Sequence, residues 1–329
     1  MVSATDKATV DRSERSTLLS RVRGVFLRHE ALRGYLLLSP TLLVMLGMMI
    51  VPLTALIILS FWTQDYFELD RTFTLANYAA IFALAEGPID LLADPFGAFA
   101  NPIYLALLLK SIEMSLSATI AVVLLAYPMA YFLAFRVTKN KLVWLILITV
   151  PFWTSYLLRV FAWKVILGYN GVINSGLMSL GLIDKPLEFL LYNPASVTIT
   201  LAHAWAAFAI LPIYVSLEKI DRSLLEAATD LGDGPVRRFF RVTLPLSMPG
   251  TIAATLLVFI PTVGDYVTPT LVGGTSGIMI GNIIQSLFGK ANNAPLGAAV
   301  SITSMLIITL LVCAFLWLVG YGRMRRQGT

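Results

Sequence analysis

Apolar residues fall into six long runs, and the segments between those runs carry most of the charge. Crossing a bilayer as a helix takes roughly 20 mostly apolar residues. Residues 34–64 contain no charged side chain, and residues 114–135, 195–217 and about 249–264 form further apolar runs. Residues 142–158 make another, which continues past Arg159 toward Leu167, and the uncharged stretch 291–322 holds the sixth, centred on 297–320. The pattern predicts an all-α polytopic membrane protein with six transmembrane helices.

One interruption does not read as a connector. A turn between neighbouring helices needs only a few residues. Residues 226–249, between the fourth and fifth runs, are instead polar, charged and punctuated by Gly and Pro. Asp221 or Ser223 can cap a short helix through Leu224, Leu225, Ala227 and Ala228. Gly232 permits a left-handed residue, and Gly234-Pro235 opens a second helical piece. That piece puts Val236, Phe239 and Phe240 on one side and Arg237, Arg238 and Arg241 largely elsewhere. Leu244-Pro245 is expected to end it before the fifth span. The product is a two-helix elbow along the membrane, either a docking surface or an amphipathic loop resting on lipid headgroups.

Charge sets the sidedness. Eighteen of the 24 Lys and Arg lie before the first run, between the second and third, between the fourth and fifth, or after the sixth. All of these segments fall on one side of a six-span protein. The positive-inside rule makes that side cytoplasmic, with both termini on it. The net charge of +5 is then a topology signal and gives no reason to expect nucleic acid. At 57% hydrophobic and 13% charged, the chain is far below the ~25% charge of an ordinary globular domain, so the bilayer is its expected solvent.

Three segments divide the chain: a basic cytoplasmic tail (1–33), a transmembrane domain (34–322) with the elbow loop at about 219–248, and a basic cytoplasmic tail (323–329). The first apolar run is too long for a signal h-region, so the N-terminal tail is not read as a cleavable signal. Residues 16–30 fit a basic amphipathic helix on the inner leaflet or a disordered basic tail. On the outer side, the first loop holds Asp65, Glu68, Asp70, Glu86, Asp90 and Asp94 against Arg71 alone. The second, about 168–194, reads as short interfacial or re-entrant helices. Cys313, the only cysteine, is expected to be a buried packing residue.

No catalytic or metal-binding constellation is visible: there is no phosphate-cradling glycine loop, no zinc-type histidine pair and no Ser-His-Asp arrangement. His203 lies inside the fourth run and is expected to pack between helices.

Glu226-Ala227-Ala228, then Gly232, then Val242-Thr243-Leu244-Pro245 resembles the EAA motif of the permease subunits of bacterial ABC importers. Pro151-Phe152-Trp153-Thr154-Ser155 with Leu158-Arg159 and Ala162-Trp163 is similar to a third-span signature of the spermidine/putrescine-type branch. So is Gly264-Asp265-Tyr266-Val267-x-Pro269 with Gly273-Gly274, Ile280-Gly281-Asn282 and Pro295-x-Gly297-x-Ala299-x-Ser301. The chain departs from that pattern at Ala294-Pro295, where relatives carry Trp-Pro. The resemblance covers about residues 36–320.

The resemblance implies a type I (MetI-like) importer permease in the bacterial inner membrane. Glu226, Ala227, Ala228, Gly232, Arg237, Leu244 and Pro245 would dock a cytoplasmic ATPase, present in two copies. A second, similar permease subunit and an external binding protein would complete the machine, with membrane lipid around it. The chain would not be an enzyme and would bind no cofactor, since ATP and Mg belong to the ATPase. Arg237, Arg238 and Arg241 would face anionic lipid or the ATPase. The alternative class, an ion-coupled carrier or an integral membrane enzyme, has no use for such a dock.

An ionisable group at membrane depth is a functional candidate. Asp265 follows the fifth run beside Tyr266. It would either attract a cationic cargo, together with the aromatic faces of Tyr266 and Trp153, or pair with Arg159 or Lys164. Trp153, Ser155, Arg159, Asp265 and Tyr266 are the expected lining of the path. Lys110 and Glu113 are expected to form a local pair. A polyamine is the cargo implied by the branch, with opines, amino-acid derivatives and other small organic solutes as alternatives.

Overall fold

The computed structural model describes residues 30–82 and 102–327. The basic tail before Glu30, and Glu86, Asp90 and Asp94 of the first outer loop, lie outside the described residues. The helix α1 (Glu30–Leu59) contains a stretch, Leu37–Leu59, that is long and apolar enough to cross a membrane. It falls almost wholly in a separate compact unit and is described by itself.

The second unit opens with an antiparallel hairpin, β1 (Thr63–Asp65) and β2 (Glu68–Asp70), in the register Thr63 to Asp70, Gln64 to Leu69 and Asp65 to Glu68. This hairpin is the one departure from an all-α chain among the described residues. Then come α2 (Ala76–Phe82) and α3 (Ile103–Phe135). Next are α4 (Lys141–Thr149) with a 3-10 turn (Val150–Trp153), α5 (Tyr156–Leu167) and α6 (Val172–Ser179). The long helix α7 (Pro194–Glu218) leads into α8 (Arg222–Asp230) and α9 (Pro235–Arg238). A π-helical turn (Phe239–Thr243) joins α9 to α10 (Leu244–Val263). A second π-helical turn (Pro269–Gly273), α11 (Ile280–Phe288) and α12 (Ala294–Gln327) complete the chain.

Five helices are long and apolar enough to span, and the bent pair Lys141–Trp153 and Tyr156–Ser179 makes six when counted as one span. That pair bends by 84°, where a single helix was expected. Pro151 has no N–H to continue the ladder. Thr154 and Ser155 go extended, with Thr154 Oγ1 closing on Pro151 O at 2.7 Å. The second span begins at Ile103, eleven residues earlier than expected. It therefore includes Lys110 and Glu113, which form no ion pair with each other. The sixth helix runs on through the expected C-terminal tail to Gln327. Cys313 is exposed on α12, against expectation: in lipid an apolar residue need not be buried in protein.

The core of this unit is the packing of α3, α7 and α10. Small residues (Ala126 and Ala130 on α3, Ala209 on α7, Ala254 on α10) are buried where these helices meet, beside Val122, Ile213 and Val258. Small side chains let helix backbones approach closely where lipid supplies no hydrophobic drive. Gly250 marks the closest approach: a Cβ there would stand 2.3 Å from Pro212 O and 2.4 Å from Ser216 Cβ. A buried bond between Tyr127 OH and Ser247 Oγ (2.6 Å) pins α3 to α10. At the inner end, Lys141 Nζ binds both Glu218 oxygens (2.8 and 3.0 Å) and Ala134 O (3.3 Å), tying α4 to α7 and α3. At the outer end, fully buried Asn174 bonds the carbonyls of Gly168, Tyr169 and Leu187 and accepts from Leu187 N. It thereby holds the second outer loop around α6.

Candidate functional sites: the cytoplasmic elbow and the outer polar cluster

The elbow begins with Asp221, whose carboxylate accepts from Ser223 N at 3.0 Å and caps α8. That amide holds the carboxyl below the usual carboxylate range. The cap is therefore charged and fully stabilising above about pH 4, and is lost only as the pH falls through the lowered value. Helix α8 ends at Gly232, in the left-handed region with φ +87°. Gly232 N donates to Thr229 O (2.9 Å) and Asp233 N to Ala228 O (3.0 Å). This is the Schellman closure that glycine serves at a helix end.

Leu225, Ala228, Phe239 and Leu244 turn inward. Ala228 is buried, Leu225 and Leu244 join the α3–α7–α10 core, and the Phe239 ring meets Tyr127 and Tyr131 at 5.6 and 6.2 Å. Leu224, Glu226, Ala227, Leu231, Val236 and Phe240 face outward, with Leu231 at 87% exposure. Glu226 makes no ion pair among the described residues. The turn thus presents small and apolar side chains beside the Glu226 carboxylate.

One expectation about the elbow is corrected. Leu244-Pro245 does not end the second piece: helix runs without a gap from Pro235 to Val263, so residues 235–248 lengthen the fifth span inward. Pro245 is accommodated because Leu244 N bonds Phe239 O in a π-helical turn, which absorbs the missing donor. The arginines also bond within the elbow, while the Arg237 and Arg241 side chains stay 68% and 62% exposed. Asp233, nearly buried, holds Arg237 Nε and Arg241 Nη1, each at 3.2 Å, and Arg238 Nη1 donates to Thr229 Oγ1 at 2.7 Å. Asp233 was not singled out from sequence. Its position between Gly232 and Gly234, four residues before Arg237, is the signal that could have found it. Asp233→Ala is expected to free both arginines. Limited trypsin digestion of inside-out vesicles should then cut at Arg237 or Arg241 about tenfold faster than in wild type, as local opening costs less.

The second site lies at the outer end of α10. Asp265 follows the helix end at Gly264. Its Oδ2 accepts from Tyr156 OH at 2.5 Å, its Oδ1 accepts from Val267 N at 2.9 Å, and Tyr156 OH also contacts Thr268 Oγ1 at 2.6 Å. Of the two alternatives for Asp265, the ion pair with Arg159 or Lys164 does not form among the described residues. Arg159 lies on rings instead, its Cζ 4.8 Å from the Phe152 centroid and 5.9 Å from that of Tyr156. His203 is exposed, against expectation, and makes ring contacts only, 5.4 Å from Trp163 and 6.3 Å from Phe152.

Of the expected lining, Arg159 and Asp265 come together around Tyr156, a residue the sequence did not single out. Ser155 stands exposed at the N-cap position of α5 without a side-chain capping bond, and Trp153 is 80% exposed on the 3-10 turn; neither makes these contacts. Tyr266 contributes its carbonyl, which accepts from Asn282 Nδ2 at 2.9 Å, while its ring is half exposed. Gly281 makes room for this: a Cβ would lie 2.5 Å from Gly264 O.

These two sites can be set beside known proteins. The family model described as "Binding-protein-dependent transport system inner membrane component" matches residues 36–323. The chain is 39% identical over 222 residues to the spermidine/putrescine transport system permease protein PotB of Escherichia coli, covering 68% of this chain and 80% of that one. It is 33% identical over 306 residues to the inner membrane ABC transporter permease protein YdcU of the same organism, covering 89% and 91%. Among solved structures, a bacterial ABC transporter involved in the import of the acidic polysaccharide alginate superposes with a TM-score of 0.59 at 16% identity. That match covers 89% of this chain and 96% of that one. At that identity the likeness is one of fold.

Proposed function

The chain belongs to the family of binding-protein-dependent transport system inner membrane components, and from that premise we propose that it forms half of the path of an importer for a small polyamine-type cation. It is a permease subunit of an ABC importer, a multi-pass protein of the inner membrane. In the proposed machine, two cytoplasmic ATPase subunits bind ATP and Mg, close on each other and carry the docked elbows with them. A second, similar permease completes the path, and an external binding protein delivers the cargo. Rigid elements move as bodies in such transitions. The elbow is built for this: its inner face is locked into the α3–α7–α10 core and its outer face is open. An ion-coupled carrier has no role for it.

The cargo reading rests on one observation. Asp265 is a carboxylate at the outer end of a span, without an ion-pair partner among the described residues, and it sits at the rim of an aromatic cluster. An ammonium group would satisfy it and lie against the rings. The name of the E. coli relative supports the same class of cargo. Asp265→Asn, reconstituted with its ATPase, second permease and binding protein, is expected to take up labelled putrescine about tenfold more slowly. Tenfold corresponds to about 1.4 kcal/mol, the low end of what a hydrogen bond to a charged group contributes. Uptake equal to wild type would contradict the assignment of Asp265 to the path.

A further inference from the structure

Two guanidinium nitrogens of Arg159 lack an acceptor among the described residues. Its Nε and Nη1 are shielded from solvent and have no hydrogen-bond partner. A buried donor without a partner is destabilising. An aromatic face only partly offsets that loss. The rings of Phe152 and Tyr156 therefore hold the guanidinium weakly. At the far end of the same Tyr156 ring, the hydroxyl donates to Asp265. One tyrosine thus separates an arginine short of acceptors from a carboxylate short of a cation. Tyr156 and Arg159 stand three residues apart on α5, on one face of the helix. A rotamer change would carry the guanidinium along the ring toward the carboxylate.

We propose that Arg159 is a tethered competitor of the cargo. It is a resident cation that takes Asp265 when the cargo's ammonium group leaves, and withdraws to the Phe152 face when the next one arrives. The proposal rests on the cation reading of Asp265 given above. A site able to hold an ammonium group must also let it go. A guanidinium held on the same tyrosine ring whose hydroxyl bonds the carboxylate supplies the replacement, because its planar fork matches a carboxylate with two parallel bonds. The exchange keeps one cation on the carboxylate in both arrangements, and the cargo carries its own charge away when it leaves. Tyr156 moderates it by holding Oδ2 of Asp265 while the guanidinium lies on the rings.

The test is equilibrium binding of labelled putrescine to the complete purified transporter without its binding protein. Removing an internal competitor should tighten binding, which loss of a structural residue would not do. Arg159→Met is expected to bind putrescine about tenfold more tightly than wild type, equivalent to about 1.4 kcal/mol of lost competition, and to turn over more slowly in uptake. Arg159→Lys keeps a cation and is expected to stay within about threefold of wild type. Where Arg159→Met fails to assemble, Arg159→Gln removes the charge at similar length and reads the same quantity. Binding by the uncharged variant that is equal to wild type, weaker or undetectable overturns the proposal, provided Asp265→Asn has lost binding. Wild-type binding by Asp265→Asn instead overturns the cation reading of Asp265, and the exchange with it.

Discussion

Gly232→Leu is expected to abolish most uptake while leaving the spans inserted and the protein at normal abundance. Gly232 sits at φ +87°, where a side chain costs about 1–2 kcal/mol. Nothing lies within 4 Å of the Cβ that a substitution would add. The penalty is therefore one of backbone conformation, confined to the turn. The chain would relieve it by leaving the left-handed region. The closure onto Ala228 and Thr229 would then open, and Asp233 would move away from Arg237 and Arg241. Leu231 and Val236, on either side of the turn, would lose their fixed separation. Reconstituted uptake is expected to fall by about tenfold or more, as a docking surface loses pre-organisation, while ATP hydrolysis continues without transport. Gly232→Asn is the control, since asparagine tolerates this region, and is expected to retain most uptake. Normal uptake by the leucine variant would contradict a docking role for the turn.

Gly250→Val acts on a different link and is expected to damage the fold itself. The Cβ position lies 2.3 Å from a backbone carbonyl of α7, and neither helix can yield without disturbing the buried Tyr127–Ser247 bond and the alanine-lined core around it. Overpacking of this kind typically costs about 1–3 kcal/mol, with the upper end expected where the obstacle is backbone. Thermal unfolding in detergent should occur at a clearly lower temperature than in wild type, with reduced yield. Gly176→Ala, on α6 with nothing within 4 Å of its Cβ position, should unfold like wild type. Equal stability of the two variants would show that α7 and α10 do not pack as described.

Hydropathy located the six spans because lipid selects apolar side chains around most of each helix. The same test placed the start of the second span too late. Lys110 and Glu113 interrupt the apolar run, yet a helix near the outer surface can carry charged side chains that reach toward water. The bend in the third span was not legible. Proline is tolerated inside several helices here (Pro128, Pro212, Pro249 and Pro261 among them), so composition does not say that Pro151 is the one that breaks. The run-on of the elbow into the fifth span was missed for the related reason that a π-helical turn can absorb Pro245.

In the elbow, the motif spacing pointed to Glu226, the alanines and Gly232, because helix caps and a left-handed glycine are local features. Asp233 and the inward role of Phe239 depend on the third dimension. At the outer site, Asp265 and Arg159 stood out as charges in apolar runs. Tyr156, which stands between them, was hidden because a tyrosine in a span attracts no notice until its hydroxyl finds a partner 109 residues away.

The account turns on the outward face of the elbow being where the ATPase seats, and site-directed crosslinking measures that directly. Cys313 is first replaced by serine, leaving no other thiol in the chain. A cysteine is then placed at exposed Ala227, and a second variant carries one at Ser179, at the end of α6 on the opposite side of the membrane. In the assembled transporter, a short bifunctional reagent should join Ala227→Cys to the ATPase subunit and leave Ser179→Cys unjoined. Absence of the Ala227→Cys adduct in a transporter that still hydrolyses ATP and imports would contradict the account.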